Sequence, residues 1–182
     1  MLKKIALALV VLVVVLVVVI ATRPSEFHLE RSATVAAPPA AVFPLVNDFH
    51  AWRRWSPWEK LDPALKREYS GPSAGTGAVY AWQGNDDVGA GRMTITEGVP
   101  DELVAIRLEF LRPFQTTNAA RFTFDEAEDG TRVTWGMNGT NGFVAKAFGL
   151  VFDVDALVGK DFEAGLAAMK AAAEADAHGQ GS

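Results

Sequence analysis

Two periodicities and one long stretch with none divide the chain. Residues 5–21 carry no polar or charged side chain, so no face of a helix built from them would prefer water. Residues 27–35 then alternate, with Phe27, Leu29, Ala33 and Val35 apolar among polar neighbours, which predicts a half-buried strand. Ala37-Pro38-Pro39 ends that strand, and proline near a helix start favours a short helix with Val42, Phe43 and Val46 inward. Pro44 removes a backbone donor inside that helix and predicts a kink or break there.

Period two returns over residues 67–70, 78–83, 91–97, 103–111, 116–125 and 131–138. Turn residues separate these runs: the glycine-rich segment 71–77, Gly84-Asn85-Asp86-Asp87, and Asp129-Gly130 at a hairpin tip. Connections this short predict an antiparallel meander. On its strands Tyr80 and Trp82 share one face, as do Met93 and Ile95, and Val104, Ile106, Leu108 and Phe110. Phe122 and Phe124 do the same, and so do Val133, Trp135 and Met137. The period then changes. Val158, Phe162, Leu166, Met169 and Ala173 recur at helical spacing, with Lys160, Glu163, Lys170 and Glu174 opposite, which predicts an amphipathic helix of about five turns. Residues 142–152 before it are almost wholly apolar, loosened by Gly142 and Gly149. Residues 177–182 read as a disordered tail.

The apolar run 5–21 approaches the roughly 30 Å of a bilayer core at about 1.5 Å per helical residue. Lys3 and Lys4 precede it, and positive charge favours the cytoplasmic side, so the expected topology is N-terminus in and domain out. A cleaved signal peptide, leaving a secreted or periplasmic domain, is the competing reading; the run is long for one, and Val19-Ile20-Ala21 fits a cleavage site only in part. The chain thus divides into an anchor and linker over 1–24, one domain over 25–176 and the tail. The whole chain has 22 acidic and 17 basic residues; without Lys3 and Lys4 the balance is 15 basic against 22 acidic, a net charge of −7. That excludes a basic stripe for nucleic acid and a polybasic patch for anionic lipid. With no cysteine, disulfides, lipidated thiols and thiolate zinc sites are excluded.

Candidate chemistry is sparse. His28, His50 and His178 have no metal-ligand spacing, no Gly-x-Ser-x-Gly elbow is present, and residues 71–77 lack the ending of a phosphate loop. Tyr80, Asp48, Glu59 and Asn118 are the available inward polar groups, each also readable as a hydrogen-bonding or capping residue. Trp52, Trp55 and Trp58, spaced by three, are the least ordinary local feature. They read as the rim of a cavity, as a plug closing one end of the core, or as side chains dipping into the membrane interface.

Residues 31–43, followed by Val46-Asn47-Asp48 and Trp52, resemble the opening of the SRPBCC (START-like, helix-grip) superfamily, and residues 161–170 resemble its closing helix. Trp55-Ser56-Pro57-Trp58 and the segment 69–85 are similar to its bacterial branch of polyketide cyclases, dehydrases and lipid-transport proteins. The resemblance implies an α+β helix-grip fold: a curved antiparallel sheet of six to seven strands around the long C-terminal helix, preceded here by one transmembrane helix. It implies a cavity for an apolar ligand and no cofactor or metal. The expected lining is Trp55, Trp58, Tyr80, Trp82, Met93, Ile106, Leu108, Phe110, Phe122, Trp135, Met137, Phe143, Phe162 and Leu166. Ala164, Gly165, Ala168 and Ala172 make the facing helix slim, which argues for a partly open pocket, with residues 143–152 as a hinged lid. Two functions follow: a membrane-tethered, non-catalytic binder of a lipid or other hydrophobic small molecule, or a cyclase- or isomerase-like enzyme using the same cavity.

Overall fold

In the computed structural model, which describes residues 1–179, the chain runs α1 (Leu2–Thr22), β1 (Glu26–Val35), α2 (Pro39–Asn47), two single 3-10 turns (Ala51–Arg54 and Pro57–Lys60), then β2 (Lys66–Ser70). β3 (Val79–Gln83), β4 (Ala90–Val99), β5 (Leu103–Arg112), β6 (Thr116–Ala127) and β7 (Gly130–Thr140) follow, then α3 (Phe143–Phe148) and α4 (Val154–Gly179). The strands form one antiparallel sheet in the order β1-β7-β6-β5-β4-β3-β2. Five of the six neighbouring pairs are consecutive in sequence; only β1 reaches across, to pair with the last strand from Glu26↔Thr140 to Val35↔Thr131. Register shifts between Ala90 and Gly91 and between Ile95 and Glu97 add bulges to β4, and bulges bend a strand. This is the α+β helix-grip architecture, with the long helix against the concave face.

The core lies between that face and α4. Phe162, Leu166, Met169 and Ala173 are buried along one stripe of the helix, opposite Val104, Ile106, Phe122, Val133 and Trp135 of the sheet. α2 closes one end with Val42, Phe43, Leu45 and Val46. Charge pairs set how α4 lies. Arg31 on β1 donates to Asp155 and Glu163, each at 3.0 Å, and Gly159 leaves room for its guanidinium beside the helix backbone. Further along, Arg54 bonds Asp176 through both terminal nitrogens, at 2.9 and 2.7 Å, and the Ala36 N–H donates to Glu174 at 2.9 Å.

Three details depart from the reading of the sequence. α2 continues through Pro44 without a break; the carbonyl that proline leaves unbonded belongs to exposed Ala40, where water can reach it. Residues 143–148, read only as part of an apolar segment loosened by glycines, form a short helix. α4 spans 26 residues, about seven turns, and reaches Gly179. Of the tail expected over 177–182, residues 180–182 lie outside the described residues.

Phe162 is only 2% exposed at the centre of this packing. Phe162→Asp buries an unpaired carboxylate, worth several kcal/mol against a typical total near 5–15. Its cooperative thermal transition, followed by circular dichroism on the full chain, is expected to disappear.

Candidate functional site

The deep half of the concave face is an aromatic stack. Phe122 and Trp135 lie with centroids 4.9 Å apart, and Trp135 stacks on Phe162 of α4 at 3.9 Å and 9°. A Cβ on Gly165 would come within 2.9 Å of the Trp135 ring, so that glycine is where the indole fits. The slimness of α4 is therefore matched here by a bulky sheet residue, and at this level the small helix residues admit an indole rather than leave space. Trp55 is 1% exposed; its Nε1 donates to the Leu45 carbonyl at 2.7 Å, while Trp52 Nε1 donates to Val46 at 3.0 Å. These two tryptophans plug the end under α2, and their burial rules out a membrane-dipping role for them. Trp58 differs. It is half-buried and stands edge-on to Trp135 at 5.7 Å and to Phe162 at 6.4 Å.

Beyond that stack the sheet runs out from under the helix. Strand register sets three rows across its concave face. Ile106, Ala120, Met137 and Leu29 form the first. Tyr69, Tyr80, Met93, Leu108 and Asn118 form the second, and Arg67, Trp82, Gly91 and Phe110 the outermost. Burial falls along them: Tyr80, Met93, Ile106, Leu166 and the stacked aromatics are core, whereas Trp82, Leu108, Phe110 and Met137 are half-buried. Asp155, Ala156 and Leu157 in the first turns of α4 are exposed and do not cover this end. Phe143 is 50% exposed, on α3. The expected lining thus separates into a closed floor, a half-open apolar end made by Trp58, Trp82, Leu108, Phe110 and Met137, and one outlying residue.

Three buried polar atoms on this face have no hydrogen-bond partner among the described residues: Asn118 Oδ1, Trp135 Nε1 and Tyr69 Oη. Buried polar atoms are nearly always bonded. Asn118 lies in the row of Leu108, on β6 next to Gly139, and a Cβ on that glycine would strike the Asn118 amide. The amide therefore sits in a space left by a missing side chain, at the edge of the apolar end.

One wall is polar, and its Tyr80, Glu59 and Arg67 are mutually bonded while the buried Tyr69 Oη has no hydrogen-bond partner among the described residues. Tyr80 Oη donates to Glu59 Oε1 at 2.6 Å, and Arg67 Nε donates to Glu59 Oε2 at 2.7 Å. The Glu59 side chain is 6% exposed, with both oxygens engaged, so it is a latch rather than a free base. Burial, then the hydrogen bond to Glu59 and its negative charge, push the Tyr80 phenol far above its ordinary ionisation range. Tyr69 stacks on Tyr80 at 5.2 Å and on His50 at 4.1 Å, and burial raises its ionisation too. Asp48, another expected polar candidate, accepts from the His50 backbone N–H at 2.8 Å and stands 2.8 Å from its ring. Arg67 was missed as a site residue, although its parity with Tyr69 on one strand already placed it inward.

Tyr69 and Tyr80 are the only tyrosines in the chain, which gives the wall its own signal. Absorbance titration should show neither ionising in the folded protein near pH 10, the ordinary phenol value. Above that pH the unfolded chain loses protons that the folded one keeps, so stability should fall as pH rises. Ionisation should then coincide with unfolding in circular dichroism, and Tyr80→Phe should weaken the fall.

Among solved structures, a protein of unknown function from Staphylococcus aureus is similar at TM-score 0.62 and 16% identity, over 86% of this chain and 98% of that one. A protein from Chromobacterium violaceum follows the same fold at TM-score 0.58 and 15% identity, over 84% and 99%. The di-domain ARO/CYC StfQ from the steffimycin biosynthetic pathway is similar at TM-score 0.62 and 14% identity, over 85% of this chain and 52% of that one. No curated protein matches the chain. The family model described as polyketide cyclase / dehydrase and lipid transport matches residues 26–174, nearly the whole of the sheet and the long helix described above, and the chain belongs to that family.

Proposed function

We propose that this protein is a membrane-tethered, non-catalytic binder of a lipid or other hydrophobic small molecule, held at the half-open apolar end of its sheet. The observation that carries this reading is the conjunction there of Trp58, Trp82, Leu108, Phe110 and Met137 with the unpartnered Asn118 amide. Ligand sites are concave, mostly apolar, and contain a few polar groups that fix orientation. The ligand this end fits has an apolar body and one hydrogen-bonding group for Asn118. Membership of a family described by both cyclisation and lipid transport supports the same class.

The cyclase- or isomerase-like alternative requires a side chain free to exchange a proton with the ligand. Tyr80 and Glu59 already hold each other, an Asn amide does not titrate, and burial raises the ionisation of the unbonded Tyr69 phenol so that it stays protonated, so the polar groups here favour binding over turnover. The tether is α1, whose 21 residues span about 31 Å at the helical rise. Lys3 and Lys4 orient it with the domain outside the cytoplasm. An anchor keeps the binder at high local concentration beside the source of a lipid ligand. Gly142 and Gly149 bracket α3 as hinges for entry.

Native mass spectrometry of the full chain released from lipid nanodiscs, after incubation with oleic acid or with a polycyclic aromatic, should show one bound hydrophobic molecule. Leu108→Trp and Met137→Trp fill the half-open end and should each lose it while keeping the parental melting temperature. A chain that carries nothing, or filled variants that carry as much as the parent, would overturn the reading.

A further inference from the structure

The exposed apolar side chains outside α1 are not scattered. Among the described residues after α1 there are ten large ones, including Leu61, Leu111, Phe114, Phe148, Val151 and Phe152, and all lie toward one end of the sheet. Strand direction shows why they converge. β1 begins at Glu26 where β7 ends at Thr140, β6 begins at Thr116 where β5 approaches Arg112, and Arg112 pairs with Ala90 at the start of β4. The β5–β6 turn with Leu111 and Phe114, and the α3 segment with Phe148, Val151 and Phe152, therefore share this end. The opposite end, with the turns at 100–102 and 127–130, has none of the ten; it carries Asp101, Glu102, Glu126, Glu128 and Asp129 instead.

The apolar end is also where α1 joins. Three residues separate Thr22 from Glu26, and the Ser25 carbonyl accepts from the Asn141 N–H at 2.6 Å, pinning the linker to the start of the α3 segment. α3 packs against α1, and Ile20 is 5% exposed there. A groove of about 420 Å³ runs along this seam, lined by Arg23, Pro24, Asn141, Lys146, Gly149 and Phe152. Phe114 and Val151, at 66% and 77% exposed, stand at the end that the short linker holds beside the outer end of the span.

We infer that this end of the domain is a membrane-docking face: the β5–β6 tip and the α3 segment insert their apolar side chains into the interfacial layer of the bilayer that α1 spans. Soluble proteins seldom leave so many large apolar side chains at one end without a partner. A lipid surface is the occupant because the face is continuous with the span. Arg23, Arg112 and Lys146 sit at the same end, but so do Glu26, Asp86, Asp87, Asp153 and Asp155, so insertion here is apolar rather than electrostatic. The half-buried site of Trp82, Leu108 and Phe110 lies on the same half of the sheet, so docking brings its mouth to the lipid. The inference rests on α1 being the anchor of the proposed function.

The chain has no cysteine, so single-cysteine variants of the full chain in nanodiscs report one position each. Phe114→Cys and Val151→Cys, labelled with an environment-sensitive dye, should lose most of their emission to lipids carrying a quencher near the headgroup. Glu128→Cys at the far end should keep its emission, and Val13→Cys in α1 should be quenched by lipids labelled at the chain terminus. Both replaced apolar residues are exposed, so the fold tolerates the changes. Quenching at 114 and 151 no stronger than at 128, with position 13 quenched, overturns the docking face alone. An unquenched position 13 overturns the anchor and the docking face together, while ligand binding is read independently by mass spectrometry.

Discussion

The contact between Trp135 and Phe162 is the constraint on which the rest of this domain depends. It joins the middle of β7 to the middle of α4 at 3.9 Å between ring centroids, and it exists because Gly165 presents no side chain one turn further along. A ring pair at that spacing fixes the distance between sheet and helix as well as the helix's rotation about its own axis. Everything on the α2 side of the stack is closed: Phe122 lies under the indole, Trp55 stands against both, and Trp52 and Trp55 are held by backbone carbonyls of α2. Everything on the other side is progressively less covered, because the sheet continues past the point where the helix has buried residues.

That asymmetry gives the molecule a closed end and an open end, and the chain's connectivity puts the open end next to the apolar helix α1. β1 starts after a linker of three residues from α1. Since β1 pairs with β7 antiparallel, the strand end beside α1 is also where β7 gives way to α3 and where β5 turns into β6. The apolar tips at those connections stay largely exposed, Phe114 at 66% and Val151 at 77%, although Phe148 and Phe152 stack on each other. Their neighbourhood contains the half-buried Leu108 and Phe110, the Asn118 amide without a partner, and the outer end of an apolar helix.

Charge has a smaller part, in orientation rather than cohesion. The Arg31 pairs with Asp155 and Glu163 and the Arg54 pair with Asp176 are partly solvated, and exposed pairs of this kind are worth little individually. They hold both ends of α4 at a defined tilt once the aromatic stack has set its height. The Glu59 latch differs, because its carboxylate is nearly buried and both oxygens are bonded. It fastens the second 3-10 turn, and with it Trp58, to the edge strand β2 and its neighbour β3.

Local pattern was enough for much of this. The alternation of Tyr80 with Trp82, of Ile106 with Leu108, and of Val133 with Trp135 placed each residue on the concave face, because side-chain direction in a strand depends only on parity. The stripe from Phe162 to Ala173 identified the buried side of α4 for the equivalent helical reason, and the unbroken run 5–21 identified the apolar helix. Parity and periodicity say which way a side chain points and nothing about what it meets. That Gly165 receives an indole, that Trp55 is sealed while Trp58 is half open, and that Glu59 is held by Tyr80 and Arg67 are contacts between residues distant in sequence. Composition alone made α4 too slim to fill the grip; the tertiary structure decided where bulk from the sheet meets it, because packing depends on the paired volumes of both surfaces. Likewise the sequence held the exposed Leu111, Phe114 and Val151 as separate loop residues, and only the antiparallel return of β1 onto β7 gathers them at the end where α1 joins the domain.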